Sequence, residues 1–287
     1  MSARPAVPVT REEVLARRDA LPVFPRVIDD VLATLDDPEA NVGDLVAHVS
    51  RDPVLSAQVF AIANAAASHS RCDGKVRDLY TATSMIGLTR LRQTTIVTSL
   101  AGFLRGALPP GLSPGFWEHS AATGVCARLL AQHVHRSSDA AMIAGLLHDV
   151  GQLWLFRFHP EAFATAWQAA ARGEASIEAA ERAQFGVDHS TIGGWLAESW
   201  ELPAPVCAAI RHHHAPDSAL QEPLVAVVHV AEVLSNALDL GGTNPRVTSL
   251  SEAACEQLGL QWDESVESLF GRIDAVSHFI ATYFRPQ

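Results

Sequence analysis

Several residue types that mark particular classes of protein are scarce in this chain of 287 residues. Its four cysteines form no Cys-x-x-Cys pair, which argues against both a disulfide framework and a cysteine zinc site. Lys75 is the only lysine and the net charge is −11, so the basic face of a nucleic-acid-binding protein is not expected. No apolar run reaches the ~18 residues of a membrane span, and the first residues lack the apolar core of a signal peptide. These absences predict a cytoplasmic protein that uses neither a membrane nor direct nucleic-acid binding.

The residues that are abundant indicate a helical protein with a packed core. Apolar residues make up 48% of the chain and charged residues 18%. Val27–Leu35 and Val42–Val49 each repeat apolar residues at i, i+3 and i+4 steps, which predicts amphipathic helices. Thr10 and Glu13 have the spacing of a capping box, and Asp52–Pro53 is typical of a helix start. Because no stretch alternates convincingly like a strand, the predicted fold class is all-α.

One stretch, Arg105–Gly115, interrupts the helical pattern more strongly than any other. It holds three prolines and three glycines, which end a helix. We therefore predict two helical lobes, an N-terminal one over residues 10–108 and a second over residues 113–287.

Histidine is distributed unevenly across this break, since eleven of the thirteen histidines follow it. Imidazole is a good ligand for zinc, iron and similar ions, and carboxylates add charge neutralisation. His148–Asp149 closes an apolar helix, where Gly151 is expected to form a turn. The candidate metal ligands are His119, His148, Asp149, His189, His213, His214 and Glu232.

Each candidate also has a structural interpretation. His148 and Asp149 would equally form a buried, hydrogen-bonded pair that fixes helix packing. His189 is placed to act at a helix N-terminus. His212–His214 is typical of a solvated helix end that interacts with the helix dipole, and His212 fits that role best. The other histidines, His229 among them, are expected to be surface or core residues.

The order and spacing of these residues resemble the HD superfamily of metal-dependent phosphohydrolases, which is named for an adjacent His-Asp pair. The stretch "HSTIG" from His189 resembles an element of the HD-GYP phosphodiesterase branch. A more particular resemblance, to the HDOD domain, covers roughly Leu21–Leu240. It rests on "LPVFP", "DPVLSAQVFAIAN", "SMIGLTRLRQ", "FWEHS", "AGLLHDVGQL" and "LPAPVCAAIRHHH", in that order.

The HDOD resemblance implies a two-lobed all-helical domain, with an N-terminal bundle packed on an HD-like core. It also implies an output or regulatory module of bacterial signal transduction, of the kind that accompanies response-regulator receiver domains. Such a module would be non-catalytic and would bind a signalling protein partner or a small, nucleotide-type ligand. No receiver of about 120 residues with alternating strands is visible, so we expect a free-standing HDOD protein or one that works in a pathway with separate polypeptides.

The alternative implied by the same resemblance is a metal-dependent phosphohydrolase that uses iron, manganese or zinc. Four departures from the HD-type patterns bear on this alternative. Glu232 stands where an aspartate is usual, which is compatible with coordination. Gln152 replaces a lysine that would hold phosphate, and Ala215 replaces a glutamate. The Gly-Tyr-Pro loop is missing, so three of the four departures weaken the phosphodiesterase interpretation.

Overall fold

The structure is a computed structural model of the whole chain. It describes residues 6–33, 42–69, 76, 78–107, 114–237, 249–260, 264 and 268–273. Every regular element in these ranges is helical and none is a strand, so the predicted all-α class is confirmed. None of the helices described is both long and apolar enough to cross a membrane.

Fifteen α-helices lie in the described ranges. Two 3₁₀ turns, at Arg18–Ala20 and Pro216–Ser218, lie between them. The helices are α1 (Arg11–Ala16), α2 (Val27–Ala33), α3 (Val42–Ser50), α4 (Pro53–His69), α5 (Leu79–Ile86), α6 (Leu88–Ala107), α7 (Pro114–His133), α8 (Ser138–Leu147), α9 (Val150–Phe158), α10 (Pro160–Ala171), α11 (Ile177–Phe185), α12 (His189–Ser199), α13 (Ala204–His212), α14 (Pro223–Ala237) and α15 (Glu252–Leu258).

Two compact units divide the chain. One unit comprises residues 23–105, and the other combines residues 1–22 with residues 106–287. The helix α1 therefore groups with the C-terminal helices, although residues 10–22 fall within the first predicted lobe. Residues 108–113, which contain most of the predicted break, lie outside the described ranges. The lobe boundaries at 10–108 and 113–287 remain a prediction.

In the unit of residues 23–105, the amphipathic patterns in the sequence correspond to buried helix faces. Ile28 and Val31 of α2 are fully buried, and the predicted apolar face of α3 contributes Leu45 and Val49. The helix α4 begins as predicted, because the Asp52 carboxylate accepts hydrogen bonds from two backbone amides of its first turn. The side chains of Leu35 and Val42 lie outside the described residues.

In the other unit, glycines allow helices to approach closely beside the His-Asp pair. A Cβ atom on Gly151 would lie 2.0 Å from the carbonyl oxygen of His189, so α9 and α12 could not pack as they do with any other residue there. A Cβ atom on Gly145 would lie 2.8 Å from Cα of Gly124, which brings α8 against α7. Gly151 lies inside α9, so the prediction that it forms a turn is wrong. Its role is close packing.

The N-terminal segment of the same unit is held by residues far along the chain. The backbone amides of Val7 and Val9 donate to the carbonyl oxygens of Gln184 and Phe185, at the end of α11. The helix α1 packs against α12. The predicted capping box is present in part, since the Thr10 side chain accepts a hydrogen bond from a backbone amide of the first turn.

Candidate metal centre

All seven candidate ligands from the sequence lie in the unit formed by residues 1–22 and 106–287, and the fold brings them together. They form two adjoining groups, and the ligand atoms of each group lie within 4.8 Å of one another. The first group, called the His189 group below, is Asp149, His189, His213 and His214, and the second, the His148 group, is His119, His148 and Glu232. Five segments supply these residues: α7, the α8–α9 junction, the start of α12, the residues that follow α13, and α14.

The Asp149 carboxylate lies between the two groups. Its Oδ2 atom is 3.4 Å from Nε2 of His148 and 3.7 Å from Nε2 of His119. Its Oδ1 atom is 3.1 Å from Nε2 of His189 and 4.0 Å from Nε2 of His213. One oxygen therefore faces each group, which is the arrangement that a bridging carboxylate needs.

The imidazole rings are oriented by hydrogen bonds on their outer nitrogen. Nδ1 of His148 donates to the carbonyl oxygen of Gly145 at 2.7 Å, and Nδ1 of His213 donates to that of Ile210 at 2.8 Å. We assign the Nδ1 proton from these carbonyl partners, which can only accept. Each ring therefore presents Nε2 to the interior of the site, as metal-binding histidines do.

Two buried atoms in the site support the fit of a cation. Nε2 of His213 and Oε2 of Glu232 have no hydrogen-bond partner in the described part of the chain. His213 is fully buried and Glu232 is 4% exposed. A buried polar atom without a partner costs about 1–3 kcal/mol, and coordination of a cation would remove that cost. Imidazole and carboxylate donors suit a divalent transition metal such as iron, manganese or zinc.

The electrostatic environment divides the residues into charged and neutral groups. Burial and the neighbouring imidazoles hold the pKa of His213 and of His214 well below the ordinary value, so both rings are neutral and able to coordinate. Burial opposes ionisation of Asp149, but His148 and His189 outweigh it and hold its pKa well below the ordinary value. Burial raises the pKa of Glu232 to about 7.

Comparison with known proteins identifies the family. The family model described as the HDOD domain matches residues 21–216. The chain belongs to the HDOD family. A curated relative, an uncharacterized protein of Treponema pallidum (strain Nichols), is 27% identical over 232 residues. The match covers 78% of this chain but 44% of that relative, so the chain spans less than half of the relative's length.

Solved structures share the HDOD fold of this chain. An HDOD domain protein of unknown function from Geobacter sulfurreducens superposes with a TM-score of 0.75 at 22% identity, and the match covers 96% of this chain and 95% of that one. A presumed phosphohydrolase from Shewanella amazonensis SB2B gives a TM-score of 0.69 at 25% identity and covers 94% and 96% of the two chains. The HDOD fold therefore extends over nearly the whole chain.

Gln152 occupies the position where the HD pattern has a lysine, and its side chain contacts the site. Its Nε2 donates to Oδ1 of Asp149 at 3.1 Å. Gln152 is 3% exposed. The amide therefore orients the carboxylate without adding the positive charge that a lysine would bring to this position.

Two acidic residues at the site were missed in the sequence. Glu181 is fully buried on α11, and its Oε2 accepts hydrogen bonds from both the backbone amide and Nδ1 of His189. Glu178, one turn earlier, places Oε1 3.0 Å from Nδ1 of His214. A signal for Glu181 exists, because it lies in the buried stripe of α11 with Ile177 and Phe185, where an acid needs a partner.

The structural interpretations of the histidines can now be compared with their positions. His189 is the first residue of α12 and directly follows the N-cap Asp188, so it does lie at a helix N-terminus. His212 is partly exposed and contacts the Ser218 hydroxyl, which agrees with a helix-end role. His229 is a buried core residue. Its Nδ1 donates to the carbonyl oxygen of His213, so it supports the backbone of a candidate ligand.

Proposed function

We propose that this HDOD chain is a non-catalytic signal-transduction module whose HD-type core holds divalent transition metal. The proposal is supported chiefly by the position of Asp149, whose two oxygens face two groups of buried imidazole and carboxylate ligands. His119, His148 and Glu232 would hold one ion and His189, His213 and His214 a second, with Asp149 shared. The bound ions would neutralise the buried carboxylates and hold these five segments of the chain together.

The burial of the ligands favours a regulatory role over turnover. The side chains of His148, His189 and His213 are fully buried, while those of His119 and His214 are 11% and 8% exposed. A phosphoester must reach the metal to be activated, and it also needs positive charge around its oxygens. Here Gln152 supplies a neutral amide that is already bonded to Asp149.

Elemental analysis tests the metal assignment directly. Chelated protein is reconstituted separately with iron, manganese and zinc, desalted and analysed for bound metal. We expect close to two ions per chain in the native sequence and a loss of at least one in His148→Ala. His133→Ala, at the partly exposed end of α7, is the control and should retain the native stoichiometry. A chain that retains none of the three metals would contradict the assignment.

As a module of signal transduction, the chain would act through a signalling protein partner or a nucleotide-type ligand. The HDOD family and the net charge of −11 support this role over nucleic-acid binding. A thermal-shift screen of metal-loaded protein against mononucleotides and cyclic dinucleotides tests whether the chain binds a nucleotide-type ligand. A shift that depends on nucleotide concentration would support the nucleotide, and a flat screen would leave the protein partner as the proposed route.

A second candidate function is a metal-dependent phosphohydrolase. The complete set of convergent ligands favours it, and so does the relative at 25% identity that is described as a phosphohydrolase. Metal-loaded protein would be assayed with cyclic dinucleotides and nucleotides. Hydrolysis at enzymatic rates that disappears in His148→Ala would replace the non-catalytic proposal with this one.

A further inference from the structure

Glu181 is a buried acid beside the candidate site, and it is not one of the seven candidate ligands. It is 0% exposed, and its Oε2 lies 2.8 Å from the backbone nitrogen and 2.5 Å from Nδ1 of His189. We propose that Glu181 is a positioning residue that holds the His189 ring with Nδ1 protonated and Nε2 directed at Asp149, and so strengthens ion binding at the His189 group. This inference rests on the metal-binding function proposed above.

The position of Glu181 in its helix indicates that the acid has a specific purpose. The buried stripe of α11 otherwise contains Ile177, Ala180 and Phe185. A carboxylate in such a stripe costs free energy unless it is paired and hydrogen-bonded. Glu181 obtains both of its hydrogen bonds from one residue, His189, which fixes the backbone and the ring of that residue together.

Helix capping alone does not explain the contact. The first turn of α12 is capped by Asp188, whose carboxylate accepts from the backbone amide of Thr191. A cap would need only the contact with the backbone amide of His189. The additional bond to Nδ1 acts on the ring, and the opposite ring nitrogen, Nε2, lies 3.1 Å from Oδ1 of Asp149.

The chemical consequence is a histidine polarised between two carboxylates. A carboxylate that accepts the Nδ1 proton fixes the tautomer and makes Nε2 a stronger donor to a metal, and loss of such a partner costs about 10–100-fold in metal affinity. The same contact adds a negative charge close to the His189 group. Oε1 of Glu181 has no hydrogen-bond partner in the described residues, so the acid makes its contacts only through Oε2.

Two substitutions separate the charge of Glu181 from its hydrogen bonds. Glu181→Gln retains an oxygen that accepts both protons and removes the charge, whereas Glu181→Ala removes both. Zinc affinity of each purified full-length variant is measured by competition with a chromophoric chelator. We expect the zinc affinity of the His189 group to fall about tenfold in Glu181→Gln and about 100-fold in Glu181→Ala. Ala180→Gly, a neighbouring buried position without a polar side chain, is the control for a weakened helix and should stay within about twofold of native.

Nitrogen NMR of the imidazole rings in zinc-loaded protein gives a second readout that helix stability does not move. His189 should show a protonated Nδ1 and a metal-bound Nε2 in the native chain and in Glu181→Gln. In Glu181→Ala the Nδ1 proton has lost its acceptor and should exchange faster with solvent. Unchanged zinc affinity in both variants together with unchanged exchange of the Nδ1 proton in Glu181→Ala would overturn the role of Glu181. If instead the native chain binds no zinc, the metal-binding function itself fails, and the two failures are thereby distinguished.

Discussion

The hydroxyl groups of Thr123 and Ser235 form a buried hydrogen bond of 2.9 Å between α7 and α14. Thr123 follows His119 by one helical turn, and Ser235 follows Glu232 by nearly one turn. The Thr123–Ser235 contact therefore fixes α7 relative to α14, and so holds His119 and Glu232 of the His148 group beside each other.

A double-mutant cycle should detect this registration. Thr123→Val and Ser235→Ala each remove one hydroxyl, and we expect a coupling free energy of about 1 kcal/mol between them in urea denaturation, because the pair is buried. Thr94→Val removes a hydroxyl on α6 that bonds only within its own helix, and should cost less. Additive losses would show that the pair does not set the register.

Gly151→Ala tests the close approach of α9 and α12. The new methyl group would meet the carbonyl oxygen of His189 at 2.0 Å, so the helices must separate. Overpacking against backbone should cost about 3 kcal/mol in the free energy of unfolding, measured in urea.

Gly102→Ala is the matched control for this substitution. Gly102 lies in α6 with open space around its Cβ position, so alanine should be neutral or should stabilise by about 0.5–1 kcal/mol. Equal effects at both positions would rule out a special role for Gly151.

The stability of the metal-free protein should depend on Glu232 and pH. Burial raises the folded-state pKa of Glu232 to about 7 from 4.5. Between these values the folded protein retains a proton that the unfolded chain has lost, so this contribution to stability falls as pH rises through the window. Glutamine has no such proton to lose. With chelator present, the free energy of unfolding of Glu232→Gln, relative to that of the native chain, should therefore increase by about 2 kcal/mol from pH 5 to pH 8.

Thermal denaturation in the two buffers measures this difference. Glu161→Gln, an exposed position on α10, is the control and should follow the native chain at both pH values. With added zinc the native chain should become more stable than Glu232→Gln, because the variant lacks a proposed ligand. A pH-independent difference between Glu232→Gln and the native chain would contradict the burial effect.

His229→Phe should loosen the start of α15. His229 joins two elements, since Nδ1 donates to the carbonyl oxygen of His213 and Nε2 accepts from the backbone amide of Ser251. Phenylalanine keeps the ring volume and removes both bonds, which should cost about 2 kcal/mol. Hydrogen exchange should become faster at the Ser251 amide, whereas His133→Phe should leave that amide unchanged.

How far the site could be predicted depended on whether the signal was local. The apolar faces of α2 and α3 and the start of α4 follow from residues close in sequence, and the structure has them as predicted. The nomination of His119, His148 and His189 rested on motif spacing, and the fold does bring them together. These features can be predicted because apolar periodicity, capping residues and motifs are each recognisable within a short stretch of sequence.

The features that the sequence did not reveal are contacts between distant elements. The apolar stripe of α11 marks Glu181 as a buried acid, but its partner His189 becomes apparent only when α12 is placed beside α11. Gly151 was interpreted as a turn because glycine is most common in turns, but its neighbour in space is the carbonyl of His189. Propensity and periodicity describe one element at a time and contain no information about which backbone will lie opposite.

Residues 1–22 belong to the same compact unit as residues 106–287. This grouping affects the order in which the segments of the chain can fold during synthesis. Arg11 of α1 donates to Glu198 of α12, which is 187 positions later. At ribosomal rates of about 5–20 residues per second, roughly 10–40 s separate the emergence of these two residues. During that interval residues 23–105 can collapse as a unit. Val14 is fully buried in the finished protein, but it stays exposed to solvent until the helices that bury it have been synthesised. The helix α1 therefore leaves the ribosome well before the helix that it packs against, and a nascent chain stalled before α12 should be a good substrate for chaperones.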